Sequence, residues 1–203
     1  MKQNKKNQFI QIGANVGNTE NDPVFKNVKN KHWTGILIEP NPKAFDQLIK
    51  NYSGFKDLSF EQAAISDKGG GNISLYVDNF FIDNNGKGEG TSQHASCNYN
   101  VIVHQLQHHP DELTTILCSC STVKDIFNKY SIDYVVDYLF IDTEGFDAKI
   151  ITSIDFHQTK FNYVQYEISH ITNQEAIDTH YYICDFGYKL VSNNGEDVIY
   201  QLK

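Results

Sequence analysis

The strongest constraint on this chain is a repeated local event: a short apolar run stops abruptly in glycine or acidic residues. Phe9-Ile10-Gln11-Ile12 breaks into Gly13-Ala14-Asn15-Val16-Gly17. Gly35-Ile36-Leu37-Ile38 ends in Glu39-Pro40-Asn41-Pro42, and Tyr138-Leu139-Phe140-Ile141 ends in Asp142-Thr143-Glu144-Gly145. Runs this short are the length of buried strands rather than helices. Between them apolar residues recur at helical spacing, as in Val24, Phe25 and Val28, then Phe45, Leu48 and Ile49. Strands alternating with helices predict an α/β fold: a mostly parallel, twisted sheet with helices on both faces. Residues 18–32 read as the first helix, with Asp22-Pro23 as cap and first residue. Residues 58–65 read as one strand, 97–107 as a helix and 115–118 as a short strand. The last two strands, 188–191 and 198–201, are too close for a helical crossover and form an antiparallel pair at the sheet edge.

At 203 residues the chain suits one domain, 1–203, with no internal repeat. Residues 78–107 differ from their surroundings, holding Gly86, Gly88 and Gly90 beside Phe80, Phe81 and Ile82. Loops of this length in a compact domain commonly serve as functional lids, so this segment is expected to cover an acceptor site. All 17 basic residues are lysine, against 25 acidic ones, for a net charge of −8. An acidic chain without arginine lacks the fork that grips phosphates, which argues against nucleic-acid partners. The four cysteines include no C-x-x-C pair and read as reduced thiols of a cytoplasmic protein. No apolar run reaches the length of a membrane span.

In doubly wound sheets, ligands bind beyond the carboxyl ends of the strands. The glycine turn lets the backbone approach a ligand, and Glu39 follows Gly17 by 22 residues. An acid at about that distance is placed to take both hydroxyls of a ribose. The G-x-G-x-x-G spacing of dinucleotide sites is absent, because Asn15 occupies the second glycine position. Asp142 and Glu144, with Asp147 after them, supply carboxylates at a third strand end.

Gln11-Ile-Gly-Ala-Asn-Val-Gly17, Glu39-Pro-Asn-Pro42, Ala63-Ala-Ile-Ser-Asp67 and Ile141-Asp-Thr-Glu-Gly-Phe-Asp147, in that order, resemble the FkbM-type S-adenosylmethionine-dependent methyltransferases. The resemblance runs from Phe9 to about His170. It implies the Rossmann-like class I methyltransferase fold and methyl transfer to hydroxyl oxygens, often of sugars or glycosylated products. S-adenosyl-L-methionine is the implied cofactor and S-adenosyl-L-homocysteine the product. Gln11, Gly13, Ala14, Asn15, Gly17, Asn18 and Thr19 would lie at the methionine end. Glu39 would hold the ribose, flanked by Pro40 and Asn41, and Gln62, Ala63 and Ala64 would lie beside the adenine. Asp142 would sit near the transferable methyl. The family usually carries an acid where this chain has Gln11, whose oxygen still accepts from an ammonium.

An alcohol acceptor needs a general base, and Asp142 is the first candidate, followed by Glu144, His94 and His170. Glu144 alternatively caps the helix beginning near Phe146. A divalent cation held by Asp142, Glu144 and Asp147 is less favoured, because a metal-free base accounts for the same residues. Two further readings stay open: a nicotinamide-dependent oxidoreductase and a nucleoside-binding module without catalysis. The expected partner is a small-molecule or glycan acceptor. The chain opens almost directly on its first core strand. Closure of the site is therefore expected from 78–107, from a second copy in a homodimer, or from a neighbouring domain of a longer polypeptide.

Overall fold

The computed structural model describes residues 6–19, 22–31, 33–78, 95–105, 107, 109–132 and 135–203. The chain runs β1 (Gln8–Ile12), α1 (Phe25–Lys31), β2 (Thr34–Ile38), α2 (Pro42–Tyr52), β3 (Leu58–Glu61), β4 (Ala64–Ile65), β5 (Asn72–Asp78) and β6 (Ala95–Ser96). A π-helical turn (Val101–Gln105) and a 3₁₀ turn (Pro110–Glu112) precede β7 (Leu113–Ser121). Then follow α3 (Val123–Tyr130), β8 (Val135–Ile141), α4 (Asp147–Ser153), β9 (Lys160–Glu167), α5 (Asn173–Asp185), β10 (Tyr188–Asn193) and β11 (Asp197–Leu202). The main sheet has seven strands in the order β10-β11-β9-β8-β1-β2-β3. Its five central and far strands are parallel, and β11 and β10 are antiparallel, as the short terminal connection requires.

Side-chain alternation on the central strands builds two cores. Ile10, Ile12, Ile36, Ile38, Leu139 and Ile141 pack toward α3, α4 and α5. Phe9, Leu37 and Phe140 point the other way and meet Val28 of α1 with Leu48 and Tyr52 of α2. The chain lays β2 and β3 outward on one side of β1, then returns to place β8 and β9 on the other. The strand order therefore reverses at β1 and β8, where such sheets open a binding crevice.

Three expectations are corrected. The first helix is confined to Phe25–Lys31. Asp22 Oδ1 accepts from the N–H groups of Val24 and Phe25 at 2.7 and 2.8 Å, which fixes the helix start there. Residues 58–65 are two strands, because the chain leaves the main sheet at Gln62-Ala63. Its second half, β4, joins a separate sheet in the order β4-β7-β5-β6. In that sheet β7 is much longer than residues 115–118, since it pairs with the whole of β5 from Asn72↔Ser119 to Asp78↔Leu113.

Candidate active site

A cleft of about 390 Å³ lies at the carboxyl ends of β1, β2 and β8. Gly13 makes the geometry possible. Its φ is +78°, and a Cβ there would sit 1.7 Å from the Asp142 carbonyl oxygen. The N–H groups of Gly13 and Ala14 both donate to the Ile38 carbonyl, at 3.0 and 2.9 Å. The Asp142 N–H donates to the Ile12 carbonyl at 3.0 Å. The turn after β1 is thus stitched to both neighbouring strands. Gly17 has a different purpose: a Cβ there would lie 2.4 Å from the Tyr52 ring, so it seats the turn on α2.

Glu39 is buried at the end of β2. Its Oε2 accepts from the Asn15 N–H and its Oε1 from the Asn41 N–H, both at 2.8 Å. Burial pushes its carboxyl up to about 7, against the opposing pull of those two bonds. Each oxygen keeps accepting capacity beyond its one backbone partner. The wall contributed by Ala63, Ala64, Leu75, Ala95 and Cys97 is mostly apolar. Gln11, Thr19 and Asp22 border the opposite part of the cleft. Gln62 is exposed and, like Gly17, Asn18 and Asn41, is not among the residues bordering the cleft. Asn41 acts through its N–H on Glu39 and caps α2 by accepting from the Lys43 N–H at 3.1 Å.

The third strand end gathers the ionisable groups. Asp147 is fully buried, and its Oδ2 accepts from the Thr143 hydroxyl at 2.8 Å and the Gly145 N–H at 3.2 Å. Asp147 therefore shapes this turn, and the expected capping role of Glu144 is not seen. Glu144 has φ +53°, and its carbonyl accepts from the buried Ser96 hydroxyl at 2.7 Å. Its side chain instead meets His170, with Oε2 2.9 Å from Nε2. The same nitrogen lies 3.5 Å from Glu167 Oε1. Glu144 raises the His170 pKa, chiefly by this hydrogen bond and against the effect of burial. Burial first, and then the charges of Glu144 and Asp147, push Glu167 up to about 8.

Asp142 presents its surface to the cleft, yet protein packs around it on the other sides. That desolvation, then the Glu167, Asp147 and Glu144 charges, holds its carboxyl well above the usual range.

The structure thus brings Asp142 and Glu144 to one end of the cleft, with His170 behind Glu144. His94 and most of the expected lid lie outside the described residues. Two further residues escaped the sequence reading. Glu167 ends β9 beside β8, and its strand-end position was the available signal. Asp22 was read only as a helix cap. The donor atoms of Glu144, Glu167 and His170 lie within 4.8 Å of one another, a spacing a cation tolerates. A protonated histidine between two carboxylates satisfies the same charges. The expected metal set differs, since the Asp147 oxygens are engaged by its own turn.

The cleft has a marked charge asymmetry. Among its described lining residues are the acids Asp22, Glu39, Asp142 and Glu144, with no lysine or histidine. No helix among the described residues is long and apolar enough to cross a membrane.

Comparisons with known proteins agree with this architecture. The N-terminal domain of human METTL16 superposes with a TM-score of 0.51 at 9% identity, covering 98% of this chain and 61% of that one. A human methyltransferase 10 domain containing protein gives 0.51 at 8% identity, covering 98% and 73%. The chain therefore spans under two thirds of the METTL16 domain, and likeness at such identities concerns the fold alone. No curated protein matches the sequence. The family model described as the methyltransferase FkbM domain matches residues 11–190, nearly the whole chain. With its strand-end cleft, buried Glu39 and Rossmann-like sheet, this chain belongs to the FkbM family of S-adenosylmethionine-dependent methyltransferases.

Proposed function

We propose that this protein is an O-methyltransferase that uses S-adenosyl-L-methionine to methylate a hydroxyl of a sugar or glycan. The observation that carries the cofactor reading is the acid-rich lining of the cleft: four acids and no cation among its described lining residues. A ligand with a sulfonium and an ammonium suits that field, whereas the diphosphate of a nicotinamide dinucleotide is repelled by it. The fit is also local. Glu39 has spare acceptor capacity for two ribose hydroxyls, the Ala63–Ala64 side is apolar enough for a flat base, and the buried Gln11 oxygen lacks a partner among the described residues. When bound, the cofactor supplies an electrophilic methyl on a good leaving group.

The protein's part is to align the acceptor and remove its proton. Asp142 borders the cleft, and its raised pKa makes it a stronger base than an ordinary carboxylate. Glu144 also borders the cleft and pairs with His170, a histidine through which that proton could be held. Carboxylates and a histidine grouped at one strand end favour a hydroxyl acceptor, which needs deprotonation. The absence of arginine and the acidic lining favour a neutral acceptor over one rich in phosphates.

Calorimetric titration with S-adenosylmethionine, S-adenosylhomocysteine and NAD tests the cofactor. Binding of the first two is expected, and binding of NAD alone would sink the reading. Labelled-methyl transfer to a panel of mono- and oligosaccharides tests the acceptor, with amines as the contrasting class. Glu39→Ala is expected to weaken cofactor binding roughly 10- to 100-fold, on the scale of hydrogen bonds to a charged group. Asp142→Ala should abolish turnover and largely spare binding. Cofactor binding without transfer to any hydroxyl would favour a non-catalytic nucleoside-binding module.

A further inference from the structure

We propose that the trough floored by β8, β9 and β11 beside α1 docks the acceptor, and that the acceptor is a neutral oligosaccharide whose end unit reaches Asp142. This inference rests on the O-methyltransferase reading and adds to it the length of the acceptor and the surface that holds it.

The trough is a cavity of about 440 Å³ on the sheet face that α1 covers only in part. Tyr163 and Ile199 line it half-buried and belong to neither apolar core of the main sheet, and Val191 is 48% exposed at its margin. Pro23, just before α1, borders both the trough and the cleft, so the two adjoin. Strand alternation puts Tyr163, Gln165 and Glu167 on one face of β9. Tyr138 and Phe140, their partners on β8, share that face, and the next alternate residue is Asp142. The floor therefore leads toward the candidate base, which lies about 13 Å from Tyr138 at the ordinary strand rise.

That floor is a row of near-parallel rings. Trp33 and Tyr138 stack with centroids 4.3 Å apart, and Tyr138 and Tyr163 stack across the two strands at 5.1 Å. The Tyr163 hydroxyl accepts from Gln201 Nε2 at 2.9 Å, which fixes its ring. Gln165 and Asn27 add amides to the lining. An exposed apolar strip edged by polar groups marks a ligand groove. A lipid tail would leave the phenol and amide groups without partners. A phosphate-rich strand would run up against Asp142, Glu144 and Glu167. A second copy docked about a two-fold axis at the trough would set one concavity against another. An oligosaccharide matches both parts of the lining, with apolar C–H faces for the rings and hydroxyls for the amides and phenols. A single sugar ring is too short to touch Tyr138 and Asp142 together.

Trp33 is the chain's single tryptophan, so its emission reports on this trough. The test uses malto-, cello-, manno- and chito-oligosaccharides of one to six units. Binding is read from Trp33 emission with S-adenosylhomocysteine present, and transfer from labelled methyl. In the series that responds, affinity is expected to rise about 10-fold between one and four units, with KM falling in parallel. Tyr163→Ala should cancel most of that gain, on the scale of a lost aromatic contact, in KM rather than kcat. Val191→Lys, which sets a long charged side chain at the exposed margin, should do the same by obstruction. Both variants should bind S-adenosylhomocysteine as wild type does. Transfer with a KM indifferent to chain length, or to both variants, would overturn the trough and leave the O-methyltransferase reading standing. Binding at Trp33 without transfer to any hydroxyl would overturn the acceptor role. No response from any series while S-adenosylhomocysteine binds would overturn the proposal and leave the cofactor reading standing. A dimer in sedimentation that Val191→Lys dissociates would assign this face to a second copy and overturn the proposal as well.

Discussion

At the scale of single residues, the site depends on backbone approaches that side chains would forbid. Gly13 is the extreme case. Alanine there would place a Cβ 1.7 Å from the Asp142 carbonyl oxygen, a backbone atom at the end of a packed strand that has no room to yield. The left-handed φ of +78° adds strain for any L side chain. Gly13→Ala is therefore expected to destabilise the fold by about 3 kcal/mol or more, the range of severe overpacking and strain combined. Urea unfolding measures it, and a loss under about 1 kcal/mol would mean that β1 and β8 can separate at their ends. The sequence marked Gly13 as a close-approach glycine but could not say what approaches. The neighbour is Asp142, 129 residues away, and only the pairing of β1 with β8 brings it there. Asp22 was hidden for a related reason: Asp-Pro before an apolar run reads fully as a helix start, which it also is.

At the scale of elements, what was legible followed from local chemistry, and what was missed depended on long-range pairing. The strand ends at Ile12, Ile38 and Ile141 were readable because each apolar run stops at a glycine or a charge. The break at Gln62-Ala63 was not, because both halves of 58–65 are equally apolar and each is chosen by a different sheet. The extent of β7 is fixed by β5, some 40 residues earlier in the chain, rather than by its own pattern. The Glu39-Pro-Asn-Pro turn shows two functions on one short element. Asn41 caps α2 through its side chain and steadies Glu39 through its backbone N–H. Asn41→Ala removes only the first, so it should cost about 1 kcal/mol of stability and leave S-adenosylhomocysteine affinity within about twofold. Denaturant melts beside calorimetry separate the two effects. A large loss of affinity with little loss of stability would mean that the Asn41 side chain serves the site directly.

At the scale of the whole molecule, the parallel sheet collects acids at the carboxyl ends of its strands, with Glu39 and Asp147 buried. Glu39 follows β2, Asp142 follows β8, Asp147 opens α4 and Glu167 ends β9. Loss of solvent around the carboxyls, joined at Asp142 and Glu167 by the charges of neighbouring carboxylates, holds all four above their ordinary pKa values, with Glu39 at about 7, Asp147 at about 6 and Glu167 at about 8. A group whose pKa is raised by folding binds more protons in the native state than in the unfolded chain. Its stabilising contribution is full below the unfolded value and is lost as pH rises through the folded one. The ligand-free protein should therefore lose stability between about pH 4.5 and 8, with Glu39 alone accounting for about 3 kcal/mol. In the proposed cofactor pose, ribose hydroxyls would donate to the ionised Glu39, so binding would oppose its protonation and affinity should climb as pH rises through about 7. The two trends run in opposite directions. Thermal unfolding from pH 5 to 8.5, with and without S-adenosylhomocysteine, should show a falling ligand-free Tm and a growing ligand-induced shift. Glu39→Gln should flatten the ligand-induced trend and shrink the ligand-free fall without abolishing it, because that amide no longer exchanges a proton while Asp147 and Glu167 still do. A ligand-free Tm that rises steadily from pH 5 to 8 would mean that the acids at these strand ends are already neutralised by groups bound there.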